Sequence, residues 1–156
     1  PDPEIPVVSI VDLGIVRSVA REEGSVVVRV TPTYSGCPAT DWILAAIRDE
    51  LAAIGVPDAR VEIQLSPAWT TDWMAADAKR RMREFGIAPP GCAIAGSPSA
   101  VDVRGISPLR HAGVVVPCPR CGSARTRLTA QFGSTACKAL YRCDECLEPF
   151  DYFKPH

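Results

Sequence analysis

Alternation of apolar and polar positions is clearest between residues 26 and 31. Val26, Val28 and Val30 point to one side and Val27, Arg29 and Thr31 to the other, the period-two signature of a β-strand. A strand is also expected over Ile15–Ala20, joined to the first by a turn at Glu22, Glu23 and Gly24. The period then changes. Ile43, Ile47, Leu51 and Ile54 recur at helical spacing, which predicts a helix over Thr40–Ile54 stopped by Gly55. Arg60–Leu65 reads as a third strand with Val61, Ile63 and Leu65 inward. Thr71–Phe85 reads as a second helix whose apolar face is Met74, Ala78, Met82 and Phe85.

After Gly86 the pattern dissolves. Pro89-Pro90-Gly91, Gly96, Ser97-Pro98, Gly105 and Pro108 punctuate a stretch that predicts loop, with one short strand at Val101–Arg104. The expected organisation is an α/β (α+β) domain over 1–86, a linker over 87–117 and a cysteine-rich module over 118–156.

Composition adds bounds. The chain has 156 residues, is 47% hydrophobic and 22% charged, and carries a net charge of -1, which speaks against a general nucleic-acid binder. Residues 1–90 hold 9 basic and 13 acidic side chains and residues 91–156 hold 8 and 5, so neither half is charged enough to name a partner. No apolar run approaches the roughly 18–20 residues of a bilayer span, and no signal peptide is visible. The expectation is a cytoplasmic protein with no membrane partner. Seven cysteines in such a chain point to metal or redox chemistry rather than a disulfide framework.

Four of them are spaced as metal ligands: Cys118-x-x-Cys121 and Cys143-x-x-Cys146. Each C-x-x-C places two thiolates on one tight turn, and two such turns make a tetrahedral S4 site that suits Zn(2+), with a rubredoxin-like iron centre as the alternative. Four thiolates close the shell, so the ion is expected to be structural and to replace a core that so short a module cannot build alone. Arg125, Arg127, Phe132, Tyr141 and Arg142 lie on or near the expected hairpin of this ribbon and could face a partner. Cys137, six residues before Cys143, reads as a half-buried packing residue, or else a spare ligand or second thiol. Nothing in the pattern assigns Cys92 or His111.

Cys37 stands apart, between Gly36 and Pro38 at a strand-to-helix corner. Pro38 at the first helical position would make Cys37 the N-cap, with first-turn N–H groups directed at its sulfur. That environment favours a thiolate able to bind a soft metal or attack an electrophile, against the alternative of a small buried apolar residue. Neither histidine is local to it, and no G-x-S-x-G, H-E-x-x-H or glycine-rich phosphate loop is present. One accessible thiol suggests a labile metal or cluster ligand, and a homodimer could supply two.

The stretches Asp2-Pro3-Glu4-Ile5-Pro6, Val11-Asp12-Leu13-Gly14-Ile15-Val16, Thr31 with Cys37-Pro38, and Ser66-Pro67-x-Trp69 resemble the iron–sulfur-cluster-assembly domain family. Two further stretches resemble its PaaD branch. They are Pro67-Ala68-Trp69-Thr70-Thr71-Asp72-Trp73-Met74 and the ribbon segment Phe132-Gly133-Ser134-Thr135-x-Cys137-Lys138-Ala139-Leu140-Tyr141-Arg142-Cys143.

The resemblance implies a small mixed sheet with flanking helices, a zinc ribbon and a further helix ahead of Pro1. It also implies an accessory role in a bacterial multicomponent phenylacetyl-CoA ring-epoxidase. The family's reactive cysteine falls on Cys37, its acidic motif on Asp2 and Glu4, and Asp12 and Thr31 on motif positions near that cysteine. The expected function is assembly, insertion or repair of a metal centre. The target would be an Fe–S cluster of the reductase component, with the di-iron centre of the oxygenase component as a second target. Cys37 would be a transient ligand of the cluster or iron. The alternatives are a structural or regulatory docking subunit without thiol chemistry and a thiol–disulfide oxidoreductase. The lack of a second C-x-x-C outside the ribbon opposes the last of these.

Overall fold

The computed structural model describes residues 1–91 and 115–156. The strand expected at Val101–Arg104, Cys92 and His111 lie outside the described residues.

Two three-stranded sheets organise the described residues. In the first, β1 (Val16–Glu22) and β2 (Ser25–Val30) form an antiparallel hairpin, and β2 pairs in parallel with β3 (Arg60–Ile63). The Glu23-Gly24 turn has φ of 50° and 86°, the double left-handed geometry whose twist matches a two-residue hairpin. A parallel neighbour needs a long crossover, and α1 (Thr40–Ala53) supplies it. The sheet is mixed and carries helices, as the resemblance implies.

The strand pattern is only partly what alternation predicts. Val27, Val28, Val30 and Thr31 are all buried, because β2 is the central strand and is covered on both faces at this end. β3 stops at Ile63, and Ile63 and Leu65, expected inward, are exposed at a sheet edge. The expected second helix is broken in two: a 3₁₀ turn over Thr71–Trp73, then α2 (Ala76–Phe85). The break lies at Met74 and Ala75, which are extended, while Ala75 N–H donates to the Asp12 carbonyl at 2.8 Å. Met74, Ala78 and Met82 face the core as expected, and Phe85 does not.

Gly14 shows why the chain can bend there. Its φ is +70°, and a Cβ at this position would lie 2.7 Å from the Trp73 Cβ and from the Trp73 carbonyl oxygen. Arg17 stacks over the Trp73 ring at 3.4 Å and closes the same corner. Gly14→Ala therefore combines a left-handed backbone with overpacking and is expected to cost roughly 2–5 kcal/mol. The midpoint of urea unfolding checks this, and a variant as stable as the parent would refute the packing account.

The second sheet is antiparallel, in the order β4 (Thr126–Ala130), β5 (Lys138–Cys143), β6 (Pro149–Phe153). It leans on the first unit. Ala88, just past α2, bridges to Tyr152: its N–H donates to the Asp151 carbonyl at 2.8 Å, and Phe153 N–H donates back to the Ala88 carbonyl at 2.9 Å. Trp69 packs edge-on against Phe153, with ring centroids 6.0 Å apart, and its indole N–H donates to the Leu13 carbonyl at 3.0 Å. Cys137 and Phe153 consequently belong to the same buried cluster as Ile5, Leu13, Ile15 and Ile43. Within the expected linker, Ile87, Ala88 and Val116 are buried. A second, smaller cluster holds Ala88, Val116, Cys118, Ala139, Cys143, Phe150 and Tyr152. No helix among the described residues is long and apolar enough to cross a membrane.

Candidate functional site

Two places among the described residues gather chemistry. The first is the four-cysteine knuckle. The sulfurs of Cys118, Cys121, Cys143 and Cys146 lie within 4.8 Å of one another, with Cys118–Cys146 at 3.7 Å and Cys121–Cys143 at 3.5 Å. A tetrahedral ion with metal–sulfur bonds of about 2.3 Å would set sulfurs about 3.8 Å apart, so the cluster fits one. As free thiols the four are electrostatically frustrated. Backbone N–H of Cys146 leads in drawing Cys143 down to about 7. At Cys146 the Glu148 N–H is outweighed by burial and the neighbouring sulfurs, which push it up to about 12. A divalent cation removes that conflict by holding all four as thiolates. The cysteines form a metal-binding cluster.

The second place is a small cavity of about 20 Å³ lined by Asp2, Glu4, Cys37 and Cys137 among apolar side chains that include Ile5, Leu13 and Phe153. It is just large enough for a water molecule or an ion. Cys37 sits half-buried on the loop between β2 and α1. It is not the N-cap. The cap is Ala39, which has helical backbone angles and no side-chain acceptor. Cys37 instead joins two consecutive turns, its N–H donating to the Tyr34 carbonyl at 3.1 Å and its carbonyl accepting from Thr40 N–H at 3.2 Å. Pro38 thus lies in a turn ahead of the helix.

Asp2 is held by its own turn. Its Oδ1 accepts from the backbone N–H groups of Glu4 and Ile5, both at 2.9 Å. Burial nevertheless raises its carboxyl above the ordinary 3.8. Cys137 enters from the start of β5. Its sulfur lies 3.0 Å from Thr135 Oγ1 and 3.9 Å from the Glu4 carboxylate, and burial pushes the thiol up. Tyr34 is raised as well, first by burial and then by the charges of Cys37, Cys137 and Glu4.

Of the residues expected around Cys37, the structure brings Glu4 and Asp2 to the cavity and leaves two out. Asp12 is a brace elsewhere. Its Oδ2 accepts from Ser9 N–H at 3.1 Å and Ser9 Oγ–H at 2.8 Å, while Ser9 Oγ accepts from Asp12 N–H at 3.0 Å. Arg81 of α2 donates to the same oxygen at 2.7 Å. Thr31 is buried, its N–H donates to the Ile15 carbonyl at 2.8 Å, and its hydroxyl has no partner among the described residues; the cavity wall is instead Pro32 and Thr33. Cys137, expected to be a packing residue, is the wall that pattern reading missed. Only its place in the motif Phe132–Cys143 set it apart.

The two aspartates should respond oppositely to pH. Arg81, then Ser9, hold Asp12 below 3.8. Its contribution is present above 3.8 and lost as pH falls through its lower folded value. Asp12→Asn is expected to cost about 1–3 kcal/mol at pH 7 and less at pH 3. Asp2 has the reverse sign: its contribution is full below 3.8 and lost as pH rises through its raised folded value. Asp2→Asn keeps the Oδ1 acceptor and should be neutral or stabilising at pH 7. Urea midpoints at both pH values check both variants; equal losses from the two substitutions would contradict this assignment.

Comparisons with known proteins match two stretches of the chain. An iron–sulfur cluster assembly protein family model matches residues 1–82, and a PaaD zinc beta ribbon domain model matches residues 106–154. A protein of Escherichia coli provisionally named as one of the subunits of 1,2-phenylacetyl-CoA epoxidase is 53% identical over 99% of this chain and 86% of its own length. An Fe-S protein maturation auxiliary factor of Porphyromonas gingivalis is 35% identical over 55% of this chain and 80% of its own. The Fe-S protein maturation auxiliary factor SufT of Staphylococcus aureus is 40% identical over 50% of this chain and 90% of its own. With its first 82 residues matching the assembly domain and its ribbon the PaaD pattern, this chain belongs to the PaaD branch of the iron–sulfur cluster assembly protein family.

Proposed function

We propose that this protein is an accessory maturation factor. It assembles or inserts a metal centre in a multicomponent phenylacetyl-CoA ring-epoxidase. Its protein partners would be the reductase component, with an Fe–S cluster, and the oxygenase component, with a di-iron centre. The observation that carries the reading is the half-buried Cys37 on a cavity shared with two carboxylates, Asp2 and Glu4. A buried carboxylate such as Asp2 raises the cost of folding and is typical of a functional site. The relatives named as Fe-S protein maturation auxiliary factors support the same direction. Cys37 would hold iron or a cluster in passing, with Glu4 beside it. The ribbon would carry Zn(2+) on Cys118, Cys121, Cys143 and Cys146, a closed S4 shell suited to a structural role.

Metal and acid-labile sulfide content, measured on protein prepared without oxygen as wild type and as Cys37→Ala, tests this. Zinc in both, with iron and sulfide only in the wild type, is the expected result. Iron retained at the wild-type level by Cys37→Ala would sink the assignment of Cys37.

A further inference from the structure

Cys137 sits in the ribbon module, a hundred positions along the chain from Cys37, yet both line one cavity. Nothing in the structural requirements of the ribbon calls for a thiol there, since its ion already has four sulfurs. A buried cysteine can pack as a small hydrophobe, but here the sulfur faces the Glu4 carboxylate at 3.9 Å. We propose that Cys137 is a second ligand for the metal cargo, so that Cys37 and Cys137 of one chain, with Glu4, form a mixed sulfur–oxygen site for a thiophilic divalent ion such as Fe(2+). This inference rests on the reading of Cys37 as a cargo ligand.

The spacing of Cys137 and Glu4 fits that role. In a tetrahedral site with metal–sulfur and metal–oxygen bonds of about 2.3 and 2.1 Å, the sulfur and oxygen stand about 3.6 Å apart. The Cys137 sulfur and the Glu4 carboxylate oxygen stand 3.9 Å apart. The Cys137 thiol is within donating reach of that oxygen, so an entering ion replaces the proton between them. One metal–sulfur bond forms as the S–H bond breaks, and the proton passes to the Glu4 carboxylate and on to solvent. No electron is transferred in this step. Thr135 Oγ1, 3.0 Å from the sulfur, can donate to the resulting thiolate. Cys37, on the loop after β2, supplies the second sulfur, and the cavity of about 20 Å³ admits one ion and little else. A mixed site of this kind leaves a coordination position open, which suits cargo that must leave again. It also gives two thiols without a second copy of the chain.

Cobalt(II) titration of the zinc-replete, reduced protein tests the proposal, in a Cys92→Ser background so that only Cys37 and Cys137 remain unassigned. The background protein is expected to bind one Co(2+) with a thiolate-to-cobalt charge-transfer band. Cys137→Ser should roughly halve that band per bound ion and weaken binding at least about tenfold. Glu4→Gln should weaken binding and leave the band per bound ion unchanged. Retained zinc and an unchanged unfolding midpoint control for folding, with Cys137→Ala as the second variant. If Cys137→Ser and Cys137→Ala leave band and affinity unchanged while Cys37→Ser abolishes them, the inference falls and the reading of Cys37 stands. If Cys37→Ser is silent too, or the background protein shows no band, both fall.

Discussion

Cys143→Ser is expected to empty the ribbon of its ion and to dismantle the Cys37 cavity at a distance. Cys143 ends β5, is fully buried, and lies 3.5 Å from the Cys121 sulfur. It also belongs to the small cluster with Phe150 and Tyr152. That cluster contains few large apolar side chains, so the ion must supply most of what holds the ribbon; structural zinc sites contribute about 10–16 kcal/mol. When the sheet opens, β5 takes Cys137 with it and β6 takes Phe153, and both are walls of the cavity and members of the first core. Trp69 loses its edge-on contacts with Phe153 and His156. The expected readings are metal content falling from about one ion per chain to near zero, and tryptophan fluorescence shifted to the red. Removal of the ion by a chelator should reproduce both. A variant that loses the ion and keeps the Trp69 environment would show that the ribbon folds without metal, and the coupling to the cavity would have to be abandoned.

That coupling is where reading the sequence stops. The ribbon ligands are legible because two C-x-x-C turns can do little else than meet around an ion, and the Val26–Val30 strand and the α1 helix are legible because one period dominates each segment. Ile63 and Leu65 mislead because alternation reports a two-faced strand and says nothing of whether the strand is central or at an edge. The break at Met74 and Ala75 is invisible locally: both residues suit a helix, and the Ala75 N–H is diverted to the Asp12 carbonyl, a contact 63 positions away in the chain. Asp12 misleads in the opposite way. Its place in a motif of the family suggests the cavity, whereas Ser9 and Arg81 claim its carboxylate for the fold. Cys37 as an N-cap fails for a smaller reason. Pro38 fits an i+1 turn position as well as it fits the first helical one, and here the turn wins. Cys137 could not have been placed beside Cys37 from spacing, since the docking of β6 against Ala88 and Trp69 brings the ribbon to that cavity.

Cys37→Ala is expected to leave the protein folded and its ribbon metal intact while activation of the epoxidase components drops more than about a hundredfold, the upper end of what even an outer-shell change costs at a metal site. The structural effect should be small because Cys37 is half-buried on a loop, its backbone makes both of its turn hydrogen bonds, and neither needs the sulfur. Losing one sulfur atom at such a position should cost no more than about 1 kcal/mol. A packing role would give the reverse: a stability loss and little change in activation. The comparison is therefore made on matched protein, with the urea midpoint and zinc content measured beside the activity that the reductase and oxygenase components acquire after incubation with iron, sulfide and reductant. Asp12→Asn serves as the contrast. It should lower the urea midpoint, because it releases Arg81 and Ser9, and still activate the client at temperatures where it remains folded. Activation by Cys37→Ala equal to wild type would make this chain a docking subunit without thiol chemistry. In that case the cavity between Asp2, Glu4, Cys37 and Cys137 would carry no cargo, and partner contacts alone would account for the place proposed for the protein in the epoxidase system.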